Sequence, residues 1–285
     1  MHFKTRKNEK GQAVLIVLLS LSVVLIVILY ILSRSITDIS LSSKEEDSLR
    51  AFSAAEAGIE RVLVTGSATG DQFIGDAKFN AGVISFSKGA LQSVFPIPLR
   101  SGESATFWFT EHDPATGNLI CDAGNPCFTG NTAKFCWGDS GTANNALSPA
   151  IEISVYYKVG AEYRISRMMV DPFAGRTQNS AVPSANCTVD GVIFQYYYNY
   201  SLAGLTNLQF ATVKMLYNTS LTHKIGIDVT GSGSTLPSQG AKVNSVGNFG
   251  GASGANRAIE VYQLHPEIPP IFTNAIYTST GVNKN

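Results

Sequence analysis

The chain has 285 residues, with 21 Lys and Arg against 21 Asp and Glu, so its formal net charge is zero and no overall field draws it to nucleic acid or to an anionic surface. Charged residues make up only 15% and aromatics 10%, which fits an exported, strand-rich protein better than a cytosolic α/β enzyme. The length allows one large domain, or two small ones with appendages.

Residues 13–32 form an apolar run in which 16 of 20 residues are Leu, Ile or Val, and no charge lies between Lys10 and Arg34. About 20 apolar residues are what a helix needs to cross the hydrocarbon core. At roughly 0.3 to 0.6 kcal/mol favourable per Leu, Ile or Val, insertion outweighs the cost of Ser20 and Ser22, whose hydroxyls can bond back to the preceding turn. The run is longer than the apolar part of a secretory signal, and Ser33-Arg34-Ser35 is a poor cleavage site. Lys4, Arg6, Lys7 and Lys10 precede the run and only Arg34 follows closely, which predicts a single-pass anchor in the cytoplasmic membrane with its N-terminus inside.

Beyond the run, Ile36, Ile39, Leu49, Phe52, Ala55, Ile59, Val62 and Leu63 fall mostly at steps of three or four, and no proline intervenes. The pattern predicts one helix over 12–65, about 80 Å long, of which about 30 Å fits a bilayer. Gly58 is its one weak residue, costing about 1 kcal/mol relative to Ala, and Thr65-Gly66-Ser67 makes the stop. A protruding helix of that length needs a cover for its apolar stripe. The chain's own downstream part and neighbouring copies are the candidates.

A basic leader ending Lys10-Gly11, an apolar helix starting directly after the glycine, and the continuation AFSAAEAGIERVL at 51–63 together resemble type IV pilins and pseudopilins, in particular PilX-like minor pilins. The resemblance covers about the first 64 residues. It implies cleavage after Gly11 by a prepilin peptidase, so that Lys10, Gly11 and Gln12 form the processing site: 1–11 is a cytoplasmic leader and Gln12 the mature N-terminus. It also implies that Ile16, Phe52, Ala55, Glu56 and Ile59 pack the helix, and that the anchor later joins other pilin subunits through the pilus assembly platform and reaches the cell surface. The chain departs from the usual pattern at two places. Ile16 stands at the fifth mature position, where major pilins carry Glu, and Gln12 stands where Phe is usual. A non-pilin reading of the same residues is an uncleaved, single-pass anchored adhesin or sensor.

After Gly66 the texture turns to alternation and turn residues, predicting an exported β-rich domain over 66–285. In AIEISVYYKV, Ile151, Ile153, Val155, Tyr157 and Val159 share one face, and Gly160-Ala161 turns the chain into YRISRMMV. Further strands are expected at 104–112, 192–202, 210–218, 223–230, 258–264 and 274–280. Residues 230–240 and 248–257 read as exposed connections. In FQYYYNY, Phe194, Tyr196, Tyr198 and Tyr200 read as the inner face of a half-buried strand. The fold class is therefore α+β, a long N-terminal transmembrane helix packed on a mostly antiparallel β domain.

Cys121, Cys127, Cys136 and Cys187 all lie in the exported part, and an even number in an oxidising compartment suggests two disulfides. Three pairings are open. Cys121 with Cys127, closing a tight loop and leaving Cys136 with Cys187, is preferred. No metal site and no cofactor are expected, because paired Cys spacing is missing and His112, His223 and His265 are not placed for one. GDSG at 138–141 matches a protease nucleophile loop in letters only. Its one nearby base candidate is His112-Asp113 in a turn-rich stretch, and Gly, Asp and Ser are turn formers. Catalysis is not expected of Ser140.

Overall fold

The structure is a computed structural model and describes residues 12–251 and 254–267. One helix, α1 (Gln12–Thr65), precedes the strands. In chain order these are β1 (Thr69–Ile74), β2 (Ala77–Ser85), β3 (Gln92–Val94), β4 (Ser104–Trp108), β5 (Glu111–His112) and β6 (Leu119–Ile120). Next come β7 (Thr132–Asp139), β8 (Ala150–Val159), β9 (Glu162–Val170), β10 (Ser184–Val189) and β11 (Val192–Ser201). The last four are β12 (Leu208–Leu216), β13 (Ile225–Asp228), β14 (Gly240–Phe249) and β15 (Ala255–Leu264). The expected strand at 274–280 lies outside the described residues.

The chain divides into two compact units: the first joins the described residues up to Gly82 to Val243–Glu260, and the second covers Val83–Lys242 and resumes at Val261. The first unit contains α1 and most of a four-stranded sheet of order β1-β2-β14-β15. Strands β1 and β2 form an antiparallel hairpin turned at Gly75, whose φ of 59° suits a residue without Cβ.

The second unit is a sandwich. Its sheets have the orders β10-β11-β7-β13-β3 and β4-β12-β8-β9, with the pairings of β7, β8, β11 and β12 all antiparallel. Period-2 alternation sends Phe107, Phe135, Trp137, Ile151, Ile153, Val213 and Ile227 into one shared core, each at most 1% exposed. The Phe107 and Phe135 rings, one from each sheet, lie 6.1 Å apart. Buried Trp137 donates its indole N–H to the Pro149 carbonyl at 2.8 Å, as a buried polar edge requires. Gly160, at φ 62°, makes the tight turn between β8 and β9. Tyr196 and Tyr200 of β11 are buried in the shared core with Tyr198 packed against it, whereas Phe194, expected on the same face, is buried instead with Cys136, Cys187 and Val189 in a separate cluster.

A clasp closes one loop of this unit. Arg176 holds Asp171 through two bonds of 2.6 and 3.0 Å and donates to the carbonyls of Ala146 and Ser148. The Asp171 side chain is fully buried. Burial alone would raise its pKa, but the bonds from Arg176, Thr177 and the Phe173 amide outweigh that and hold it below the usual value. Tyr217 lies in the left-handed region at φ 70°, with its N–H bonded to Ser101 Oγ and its ring 4.0 Å from the Arg176 guanidinium.

Two loop expectations change. Residues 236–240 are buried, not exposed: Leu236 joins the core, and Gln239 replaces a strand partner by bonding both the amide and the carbonyl of Trp108. The connection expected at 248–257 is shorter, because β14 runs to Phe249 and β15 resumes at Ala255. Strand 104–112 is interrupted after Trp108, where Phe109 turns its N–H to the Gln209 carbonyl and β5 pairs instead with β6.

Candidate functional site

Helix α1 is unbroken over 54 residues, about 80 Å at 1.5 Å per residue. Its apolar window has a mean hydropathy of 3.3 and no buried residue, so it is long and apolar enough to cross a membrane. The two serines cost it little, because Ser20 and Ser22 return their hydroxyls to the carbonyls of Val17 and Leu19 at 2.9 and 2.8 Å. Thr37 does the same toward Ser33. The helix ends where Gly66, at φ 66°, turns its N–H back to the Val62 carbonyl at 2.8 Å.

The second half of α1 has a different surface. Ala51, Ala54, Ala55, Ile59 and Val62 are each at most 7% exposed, and with buried Gly58 they form a stripe at steps of three and four. The stripe rests on the inner faces of β2 and β14, where Ala77, Phe79, Ala81, Val243, Ser245 and Gly247 alternate with outward residues. Two glycines set the separation. A Cβ on Gly247 would overlap the Ala51 carbonyl and lie 2.6 Å from the Ala55 amide nitrogen, and one on Gly58 would overlap Ser245 Oγ and meet Phe79 at 2.8 Å. Helix and strand backbones therefore approach as closely as glycine permits. Polar ties flank the seat: Arg257 donates to Ser48 Oγ at 2.8 Å, and the Arg50 guanidinium lies 4.9 Å over the Phe249 ring while pairing with Glu46 at 2.6 Å. Both partners of that ion pair are exposed, so it contributes little.

Of the residues expected from sequence, Ala55 and Ile59 lie in the seat. Ile16, at 64% exposed, and Phe52, at 43%, face outward, as does Glu56. Gln12 opens the helix, and Lys10 and Gly11 lie outside the described residues. The seat also depends on Ala51, Ala54, Gly58 and Gly247. The signal for the helical part is the spacing of small residues at 51, 54, 55 and 58, in which Gly58 is a contact point where the periodicity marks only a weakness. No protein-family model, curated protein or solved structure matches this chain.

In the second unit Cys121 pairs with Cys127 and Cys136 with Cys187, with Cα separations of 5.3 and 6.1 Å. The first closes a short surface loop. The second ties β7 to β10, the strands on either side of β11. Ser140 is exposed just past the end of β7, while His112 packs against Trp108 and His265. Among the described residues, no group of three His, Cys, Asp or Glu side chains gathers to hold a metal.

Proposed function

We propose that this chain is a minor pilin or pseudopilin: a non-enzymatic, membrane-inserted subunit that a prepilin peptidase trims after Gly11 and that joins a type IV filament. One observation carries the reading. A single continuous helix presents a bare apolar first half and a second half seated on the chain's own sheet. The bare half needs lipid before assembly and the helices of sister subunits afterwards, because nothing in its own fold covers it. Ile16 in place of an acid leaves the rod without a buried charge to pair, which suits a sparse or tip-located subunit with an adhesive or assembly-priming role.

N-terminal sequencing of the protein recovered from membranes tests this directly. A mature chain starting at Gln12, and a Gly11→Leu variant that stays full length and is missing from purified filaments, are the expected results. A chain that keeps Met1 in cells that trim genuine prepilins would show the protein to be an uncleaved anchored adhesin or sensor.

A further inference from the structure

One corner of the sandwich unit carries two histidines that neither catalysis nor the helix seat uses. The rings of His112, in β5, and His265, just past β15, stack face to face with centroids 3.7 Å apart and planes 14° from parallel. The Trp108 ring meets both edge-on, at 4.3 and 6.2 Å. Each histidine keeps one buried ring nitrogen without a partner, Nδ1 in His112 and Nε2 in His265. Buried polar nitrogens without partners are uncommon and costly in a low-dielectric setting, so this pair calls for an explanation.

We propose that the His112–His265 stack is a proton-operated latch, which holds the end of β15 against β4 and β5 while both rings are neutral and releases it when both are charged. The charged groups around it set the direction. Glu111 precedes His112 and is the nearest anion, but it is already committed, to Lys88 Nζ at 2.5 Å and to the Ser238 amide at 2.7 Å. Asp113 follows His112 and accepts the amides of Ala115 and Thr116. On the other element, Glu267 accepts from the amide and hydroxyl of Thr106 in β4. A first proton is tolerated, since a cation beside a neutral ring and a carboxylate is favourable. A second places two like charges at ring-contact distance with no free anion to answer it. Burial accordingly lowers both pKa values, and the charge of His265 is a second cause that pushes His112 down to about 4.

The sign follows from linkage. Groups held neutral by the fold stabilise it fully above the ordinary histidine value, and that stabilisation drains away as pH falls through the lowered values. The latch is closed at neutral pH and open in acid. Its opening frees the strand end without touching the disulfides or the main core.

The test uses the full-length protein in detergent micelles, with carbon-13 in its histidine rings. Between pH 7 and pH 4, the His112 and His265 ring signals should move in a shared transition below the ordinary value. Over the same range, hydrogen exchange of residues 110–113 and 262–265, corrected for the intrinsic rate, should rise about tenfold while β8 and β12 stay protected. His112→Phe keeps a ring and removes the proton site, and there the rise should shrink to less than about twofold. An equal rise in that variant assigns the opening to Glu267, which the variant retains, and overturns the latch. If the variant does not fold, the unmodified protein still decides: two histidines that titrate independently near their ordinary value, or acid exchange that rises equally in β8, refute it.

Discussion

The helix seat of the first unit and the core of the second are packed by opposite rules. In the seat the limiting quantity is clearance at two glycines: Gly247 lies directly against the backbone of Ala51 and Ala55, and Gly58 against the side chains of Ser245 and Phe79. In the sandwich the limiting quantity is volume, supplied by Trp137, Phe107, Phe109 and Phe135 at 1% exposure or less. The first should fail when atoms are added and the second when they are removed.

The largest effect is expected where volume is lost. Trp137→Ala should cost about 3 to 5 kcal/mol, read as the denaturant midpoint of the second unit, and it also strands the Pro149 carbonyl. A loss below about 1 kcal/mol would mean that the sandwich core is not the unit's main support. Next come the cross-links. Opening Cys136–Cys187, which spans 51 residues, should cost about 4 kcal/mol by the loop-entropy argument, and opening Cys121–Cys127, which spans 6, about 2 kcal/mol. Equal losses would mean that local geometry outweighs loop length.

The seat gives the contrasting test. Gly58→Ala should stabilise an isolated helix by about 1 kcal/mol, yet in the whole protein it should destabilise by about 1 to 3 kcal/mol, and Gly247→Ala should do the same. Protease sensitivity after residue 66 in micelles reports the loosening. A gain in stability from Gly58→Ala would show that the backbones are free to separate. The smallest effect is expected from acid on the Asp171 clasp. Its depressed carboxyl contributes stability that is complete above the ordinary aspartate value and is lost as pH falls through the folded one. Asp171→Asn should therefore lower stability at neutral pH while flattening the acid limb of a melting-temperature profile.

The contrast also explains what was legible in the sequence. Helix α1 is written in strong letters, with an unbroken apolar run, a 3.6-residue stripe and a glycine stop, and its bounds follow from them. Strands β8, β11 and β12 show alternation because large side chains fill the sandwich. Strand β14 hides, because the face that receives the helix must be small. Ser245 and Gly247 lie inward while Val246 is 46% exposed, so hydrophobic alternation runs backwards there. The burial of 236–240 depends on Gln239 reaching Trp108, 131 residues away in sequence, and no local pattern encodes such a contact. The division into two units is hidden for the same reason, since β14 and β15 return to the helix from the far end of the chain.

The continuity of α1 has an angular consequence. Each residue advances a helix by about 100°, so a rod locked at Gly58 and Gly247 fixes the compass bearing of every side chain back to Val14. Deleting one residue between 35 and 45 would turn the anchor's outward face by about 100° relative to the sheet, while deleting seven would return it to within about 20°. Sheet and anchor thus behave as a dial and its pointer, and the register of the rod decides which neighbour each apolar side chain meets.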